Sequence, residues 1–530
     1  MNFKILEKDF FLFFLIFFIT FLFNWYYGFF GFNPADSFTI YHSGYLVLKG
    51  NLPFKDYWVT TGPLLDIIQA IVFKIGGVNW ASYIFHSTLI NSLFSCFIFY
   101  FFKKFKLGTV SSFIYSISVG LITYPQIGTP FADHHSAIFS VTAVLLCILA
   151  INFNNFIYWF LLPIFLFLSF LSKQTPATYF FFIILIIIFL NFIKEKKYKN
   201  LLYLLVSSLL CLSLFIFYFY LNNISFTDFY NQYIEFASSI GTIRINSDSF
   251  LKPISFSRYF LKFKFIHLSY SFLIIIIIKN FLNKKFKVVY KDYLIILLII
   301  LSAYCLIIHQ LLTLSLKFVY FYIPIILGIS HIFVLKYNYS NKRNYLSAVM
   351  ILLIISQSYY IQSYIFKQKM ELSCKEKNFE KKEIPQTRII DEKNIVKWIT
   401  CLDNPRNELK NIDEVLNYLN TEIDIDHNYV LITDYQFMIP KLKKNNISIN
   451  KWYHPGVSYP SHDYKKINYY RNYLIDKLKK NKIKYFIFIF PSVYEFGNEV
   501  EFENIFSFCL KNPKEALNKK IFLFNVENCY

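Results

Sequence analysis

Up to about residue 363, long apolar runs alternate with short polar breaks; beyond that point the pattern turns polar and mixed. The runs "FFLFFLIFFITFLF" (Phe10 to Phe23), "YFFFIILIIIFL" (Tyr179 to Leu190) and "LIILLIILSAYCLII" (Leu294 to Ile308) extend into stretches near the ~20 residues needed to cross a bilayer. This pattern predicts about eleven spans, near residues 9–29, 82–102, 108–124, 136–152, 156–172, 176–193, 201–221, 265–281, 292–310, 315–336 and 344–363. The expected fold is therefore mainly α, a polytopic membrane protein. The first run lacks a small-residue cleavage site and is followed by Trp25, Tyr26 and Tyr27, an interfacial belt, so it reads as a retained span.

The polar breaks orient the spans. With the N-terminus inside, simple alternation places "KKFK" (Lys103 to Lys106), "KEKKYK" (Lys194 to Lys199), "NKKFK" (Asn283 to Lys287) and "NKR" (Asn341 to Arg343) all on the cytoplasmic side. The same parity puts outside the loop 30–81, the turn "PQIGTPFADHHS", the break "SKQTP", the loop 222–264 and the tail from about residue 364. The expected division is a transmembrane domain over 1–363 and an extracytoplasmic α/β domain over 364–530. In that tail, "NYVLITD" (Asn428 to Asp434) and "KYFIFIFP" (Lys484 to Pro491) read as buried strands, and Asp463 to Ile483 has helical spacing.

Composition agrees. Of 530 residues, 56% are hydrophobic and only 16% charged, too little charge to cover a soluble protein of this size. The net charge of +21 does not indicate a nucleic-acid partner, because the lysines cluster between apolar runs where the positive-inside rule accounts for them. The abundance of Phe, Ile, Lys, Asn and Tyr also fits an AT-rich genome. Cys374, Cys401, Cys509 and Cys529 all fall in the tail, an even number in a compartment expected to be oxidising. They allow three pairings, of which Cys374–Cys401 with Cys509–Cys529 is the local one. Cys96, Cys147, Cys211 and Cys305 lie within spans and read as small hydrophobes.

The chain has no phosphate-cradling glycine loop, paired CxxC or HExxH, so candidate chemistry rests on polar residues at the outer membrane face. Asp36 lies just past the first span. It can act as a base toward a hydroxyl or hold a cation, or it can cap the helix that Ser37 to Gly50 would form. The segment Asp66 to Gly77 can form an amphipathic helix lying in the interface. Asp133 and His134 precede the fourth span; such a pair can bind a divalent metal or orient a phosphate, and Asp133 can equally cap a helix. Lys173 in "SKQTP", on the side where lysine is disfavoured, can pair with a carrier phosphate or simply snorkel. Arg244, Lys252 and Arg258 in the loop 222–264, with Tyr230, Tyr233 and Tyr259, and Lys317 at the outer end of the tenth span, make a rim of cations and aromatics. Such a rim suits an anionic lipid head group and a sugar.

The segment "YLVLKGNLPFKDYWVTTGPLLDII" resembles the first external loop of membrane glycosyltransferases of the GT-C superfamily, in the bacterial branch with protein mannosyltransferases, aminoarabinose transferases and lipopolysaccharide-core transferases. The tags are Gly50, Pro53, Phe54, Asp56, Tyr57, Gly62 and Pro63, with weaker ones in "KQT" (Lys173, Gln174, Thr175) and "KFVYFYIP" (Lys317 to Pro324). The resemblance covers about residues 1–360 and leaves the tail unassigned. It implies transfer of a sugar from a polyprenyl-phosphate donor to a glycolipid (lipopolysaccharide among them) or protein acceptor outside a bacterial inner membrane. Asp36 would be the base and Asp133 a second acidic site. Some relatives carry two acidic residues where this chain has Asp133 and His134, which leaves the second residue's role and any metal open. Two other readings remain: a transporter or flippase of a lipid-linked or anionic substrate, which would place charges within the spans and show repeated halves, and a membrane scaffold whose tail binds a partner.

Overall fold

A computed structural model describes residues 3–246, 257–282, 289–313, 318–337, 342–370, 384–400, 404–422, 428–443, 446–489, 497–510 and 513–530. It divides into two compact units, one formed by Met1–Gly28, Ser87–Tyr218 and Ile243–Lys369, the other by Phe29–His86, Phe219–Thr242 and Met370–Tyr530.

The first unit is helical, and each of the eleven predicted apolar runs is a helix. Eight are long and apolar enough to cross a membrane; Thr109–Thr123, Phe156–Ser172 and Lys264–Ile278 are shorter. Burial ranks them. Ala132–Phe153 is central, with 89% of its apolar window buried, whereas Tyr198–Leu221, at 11%, turns leucines and phenylalanines outward as a lipid-facing helix does. Small residues let the helices approach. A Cβ at Gly120 would clash with Thr20 and Ser95, so glycine lets the helices Phe3–Gly28 and Trp80–Lys104 approach Thr109–Thr123 this closely. Hydroxyls supply polar glue: Ser169 bridges Ser136 and Ser140 at 3.0 and 2.7 Å, tying Phe156–Ser172 to Ala132–Phe153.

The second unit is α/β. Its main sheet has four strands in the order β3-β4-β6-β5: β3 Asn428–Ile432, β4 Ile483–Ile489, β5 Lys514–Ala516 and β6 Ile521–Asn525; β1 Gln386–Thr387 and β2 Val396–Lys397 form a separate pair. β3 and β4 run parallel, with the helix Ile467–Lys480 in the connection, and β6 is antiparallel to β4. The strands and helix expected in the tail are thus present. Cys509 and Cys529 are joined in a disulfide, 5.1 Å between Cα atoms; Cys374 and Cys401 lie outside the described residues.

The long loop after the first helix is built into this core. Trp58, 1% exposed, packs with Val430, Ile432, Tyr470 and Leu474. Its backbone pairs with the tail, Trp58 N to Ile449 O at 2.8 Å and Lys451 N to Trp58 O at 3.0 Å. Phe236, from the segment Phe219–Thr242, joins the same cluster.

Candidate functional site

Asp133 lies in the first turn of Ala132–Phe153, where its carboxylate is 3% exposed. The helix begins after Phe131, so Asp133 follows the cap position, and its oxygens are engaged elsewhere. Both accept from Lys173 Nζ at 2.8 Å. Oδ1 also accepts from His309 Nε2 at 2.7 Å, near the end of the helix Tyr290–Thr313. Arg244 is close enough for its charge to act on Asp133 and on His309. Three of the four were expected from the sequence; His309 was not.

Local structure fixes each member. Lys173 is extended (φ −162°, ψ 142°) at the break between Phe156–Ser172 and Gln174–Glu195, where Thr175 is non-helical as well. Its carbonyl accepts from Ser136 Oγ at 3.2 Å, one turn past Asp133, which sets the register between acid and cation. Gln310 Oε1, next to His309, accepts from Phe318 N at 3.2 Å.

The energetics favour a permanent charge cluster. A carboxylate this buried needs partners, and removing one partner of a buried pair typically costs about 3–5 kcal/mol. Asp133 is paired with Lys173, and Arg244 lies within electrostatic range of both Asp133 and His309. Lys173 stays 20% exposed and can reach an anion.

The other sequence candidates separate into groups. His134 is fully buried, with its ring 4.4 Å from Phe318 and 4.9 Å from Tyr124 between centroids. With Asp133 occupied by an ammonium and an imidazole, the two residues do not form a donor set for a divalent ion. Among the described residues, no cluster of three or more His, Cys, Asp or Glu suits a metal. Gln174 opens the helix after Lys173. Arg258 falls in the short helix Ser257–Leu261, with its side chain outside the described set; Lys252 and Lys317 lie outside it altogether.

Asp36, Asp56 and Tyr57 belong to the second unit. Asp36 is the third residue of the helix Pro34–Leu48, with Asn33 at the cap, and accepts from Asn33 Nδ2 at 2.8 Å. Position 33 therefore holds the cap, without a side-chain capping bond, and Asp36 lies inside the first turn rather than at the cap. Asp56 locks its own turn, accepting from Leu52 N at 2.9 Å, and lies 3.8 and 3.7 Å from Lys477 and Lys480. Tyr57 donates to Asp66 at 3.0 Å. Both tag residues therefore shape the loop.

Asp66 and Lys451 form a fully buried ion pair at 2.6 Å, with Ser43 and Thr61 completing the hydrogen bonds. Beside them, His42 Nδ1 lies 3.1 Å from the Lys451 carbonyl and Nε2 2.7 Å from Ser448 Oγ. Burial outweighs the attraction of Asp66 and pushes the Lys451 ammonium below its usual pKa; burial pushes His42 down to about 4. The helix carrying Asp66, Leu64–Gly76, buries Leu65, Asp66, Gln69 and Phe73 while Ile71 and Ile75 stay exposed, the two-faced pattern expected from its sequence.

Against known proteins, residues 60–220 match the dolichyl-phosphate-mannose-protein mannosyltransferase family, a GT-C superfamily domain. The match covers under a third of the chain and contains Asp133, His134, Lys173 and Gln174; Asp36 precedes it and His309 follows. The match supports the resemblance to GT-C membrane glycosyltransferases. A comparison with curated proteins returned no match.

Proposed function

We propose, from the premise of a GT-C-type membrane glycosyltransferase, that the chain moves a sugar from a polyprenyl-phosphate donor to a hydroxyl of an envelope acceptor, glycolipid or protein, on the outer face of a bacterial inner membrane. The observation that carries this reading is the Asp133–Lys173–His309 cluster at the ends of apolar helices, with Arg244 within electrostatic range of it. Lys173 and Arg244 hold the donor phosphate and stabilise the charge that grows on it as the glycosidic bond breaks. Asp133 keeps Lys173 in place, and His309 keeps Asp133 in place.

Asp36 takes the proton from the acceptor hydroxyl as its oxygen attacks the anomeric carbon; polyprenyl phosphate departs and the configuration inverts. A phosphate leaving group needs no general acid, so a single carboxylate suffices. The Cys509–Cys529 disulfide supports an oxidising compartment for the tail. To test the base, Asp36→Asn is assayed with a synthetic polyprenyl-phosphate sugar in membranes where the variant inserts normally. Transfer should fall about 10²-fold or more while donor binding persists; undiminished transfer rejects the role.

A further inference from the structure

At the other end of the helical unit, about 28 Å along Ala132–Phe153 from Asp133 at 1.5 Å per residue, a cavity of about 440 Å³ opens among the helices ending or starting at Lys104, Phe153, Tyr290 and Lys336. Its walls are apolar, built largely by Ile148, Ile295, Ile329 and Phe333, and its rim carries Lys104, Lys106 and Lys336. The one carboxylate there, Asp292, is already neutralised: Lys336 Nζ binds it at 2.7 and 2.6 Å, and the Tyr337 hydroxyl also donates to it.

Lys103 is taken by Asp9 at 3.1 Å. Lys104 lies over the Tyr100 ring, and among the described residues neither Lys104 nor Lys106 has a carboxylate partner. Phe153 and Leu335, each 44% exposed, flank the cavity with apolar surface.

We propose that this cavity binds one anionic phospholipid. The phosphate sits at Lys104 and Lys106, the glycerol and first methylenes cover the isoleucine wall, and the acyl chains leave past Phe153 and Leu335. Charge complementarity selects the occupant. Basic pockets between transmembrane helices recognise acidic head groups, whereas a choline head group would find its only carboxylate already paired. A free phosphate ester would satisfy the lysines and leave the apolar wall bare. The site requires only that the chain sits in a membrane and is independent of the sugar-transfer reaction.

The test is native mass spectrometry of the full-length protein after exchange into nanodiscs of phosphatidylglycerol or phosphatidylcholine. One phosphatidylglycerol should survive detergent release, with no equivalent phosphatidylcholine. Lys104→Gln with Lys106→Gln should lower that occupancy about tenfold, and Ile329→Trp, which fills the cavity, should abolish it. The two variants act through charge and through volume, so misfolding of one leaves the other decisive. Equal retention of both lipids, unchanged occupancy in both variants, or displacement by soluble glycerol phosphate would each overturn the proposal.

Discussion

Lys173 is bound to Asp133 through both carboxylate oxygens and is still partly open, so its charge is both fixed and usable. Lys173→Ala removes the cation that meets the donor phosphate and strands Asp133; transfer should fall on the order of 10²-fold or more. Lys173→Arg keeps the charge but spreads it over a wider fork and should recover part of that loss. A radiolabelled-donor assay at matched membrane abundance decides this, and wild-type rates in Lys173→Ala would remove the residue from the site.

Sequence pointed to Asp133 and Lys173 because each sits at a break between apolar runs, where an ionisable group stands out. His309 ends an apolar run and meets Asp133 across 176 positions, so nothing local marks it.

His42 gives a second residue-level expectation. Burial holds it neutral, donating from Nδ1 to the Lys451 carbonyl and accepting at Nε2 from Ser448, the tautomer that satisfies both partners. Its folded pKa of about 4 lies below the ordinary 6.5, so the unfolded chain binds the extra proton first. Its contribution is complete above pH 6.5 and is lost as pH falls toward 4, about 3 kcal/mol over that window. The melting temperature should drop across this range in the wild type. His42→Gln, which keeps both hydrogen bonds without titrating, should flatten that part of the profile; identical slopes would show that other groups control it.

Among the elements, the loop 30–81 is the one whose structure depends most on distant partners. What it packs against was not legible in the sequence, since Asp66 meets Lys451 across 385 positions. Gln232 shows the same dependence: it donates to the Phe54 carbonyl at 2.8 Å and accepts from Val59 N at 2.9 Å, clamping a backbone that turns through a left-handed Phe54 (φ 68°).

The buried pair therefore staples this loop to the α/β core. Asp66→Ala should destabilise the unit by about 3–5 kcal/mol, because Lys451 is left charged in an apolar surround. Pairing it with Lys451→Met removes the stranded charge and should restore most of the loss. Thermal unfolding of the single and double variants reads the coupling; additive losses would mean the pair contributes through something other than its mutual charge.

At the level of the whole molecule, apolar period and charge placement made the helical unit legible: eleven runs became eleven helices, with contacts joining the ends that alternation predicts. Asp133, Lys173 and His309 meet at one end of that unit, Asp292 and Lys336 at the other. The α/β unit was less legible, because it is assembled from three separated stretches and only the tail carries strand patterning.

That composition sets a strong expectation for truncation. A chain ending at residue 370 keeps every apolar helix and should still insert. It loses the Ile449 and Lys451 partners of Trp58, the counter-ion of Asp66 and the core around Phe236, leaving segment 29–86 without the interior that orders it. Protease should then cut within 29–86 at sites resistant in the full-length protein, and transfer should disappear because Asp36 is carried on that segment. Supplying residues 370–530 separately in the same compartment should restore protection if the cores reassemble. A truncated protein that stays resistant and active would show instead that the loop folds without the tail, and that the tail's place in the reaction lies elsewhere.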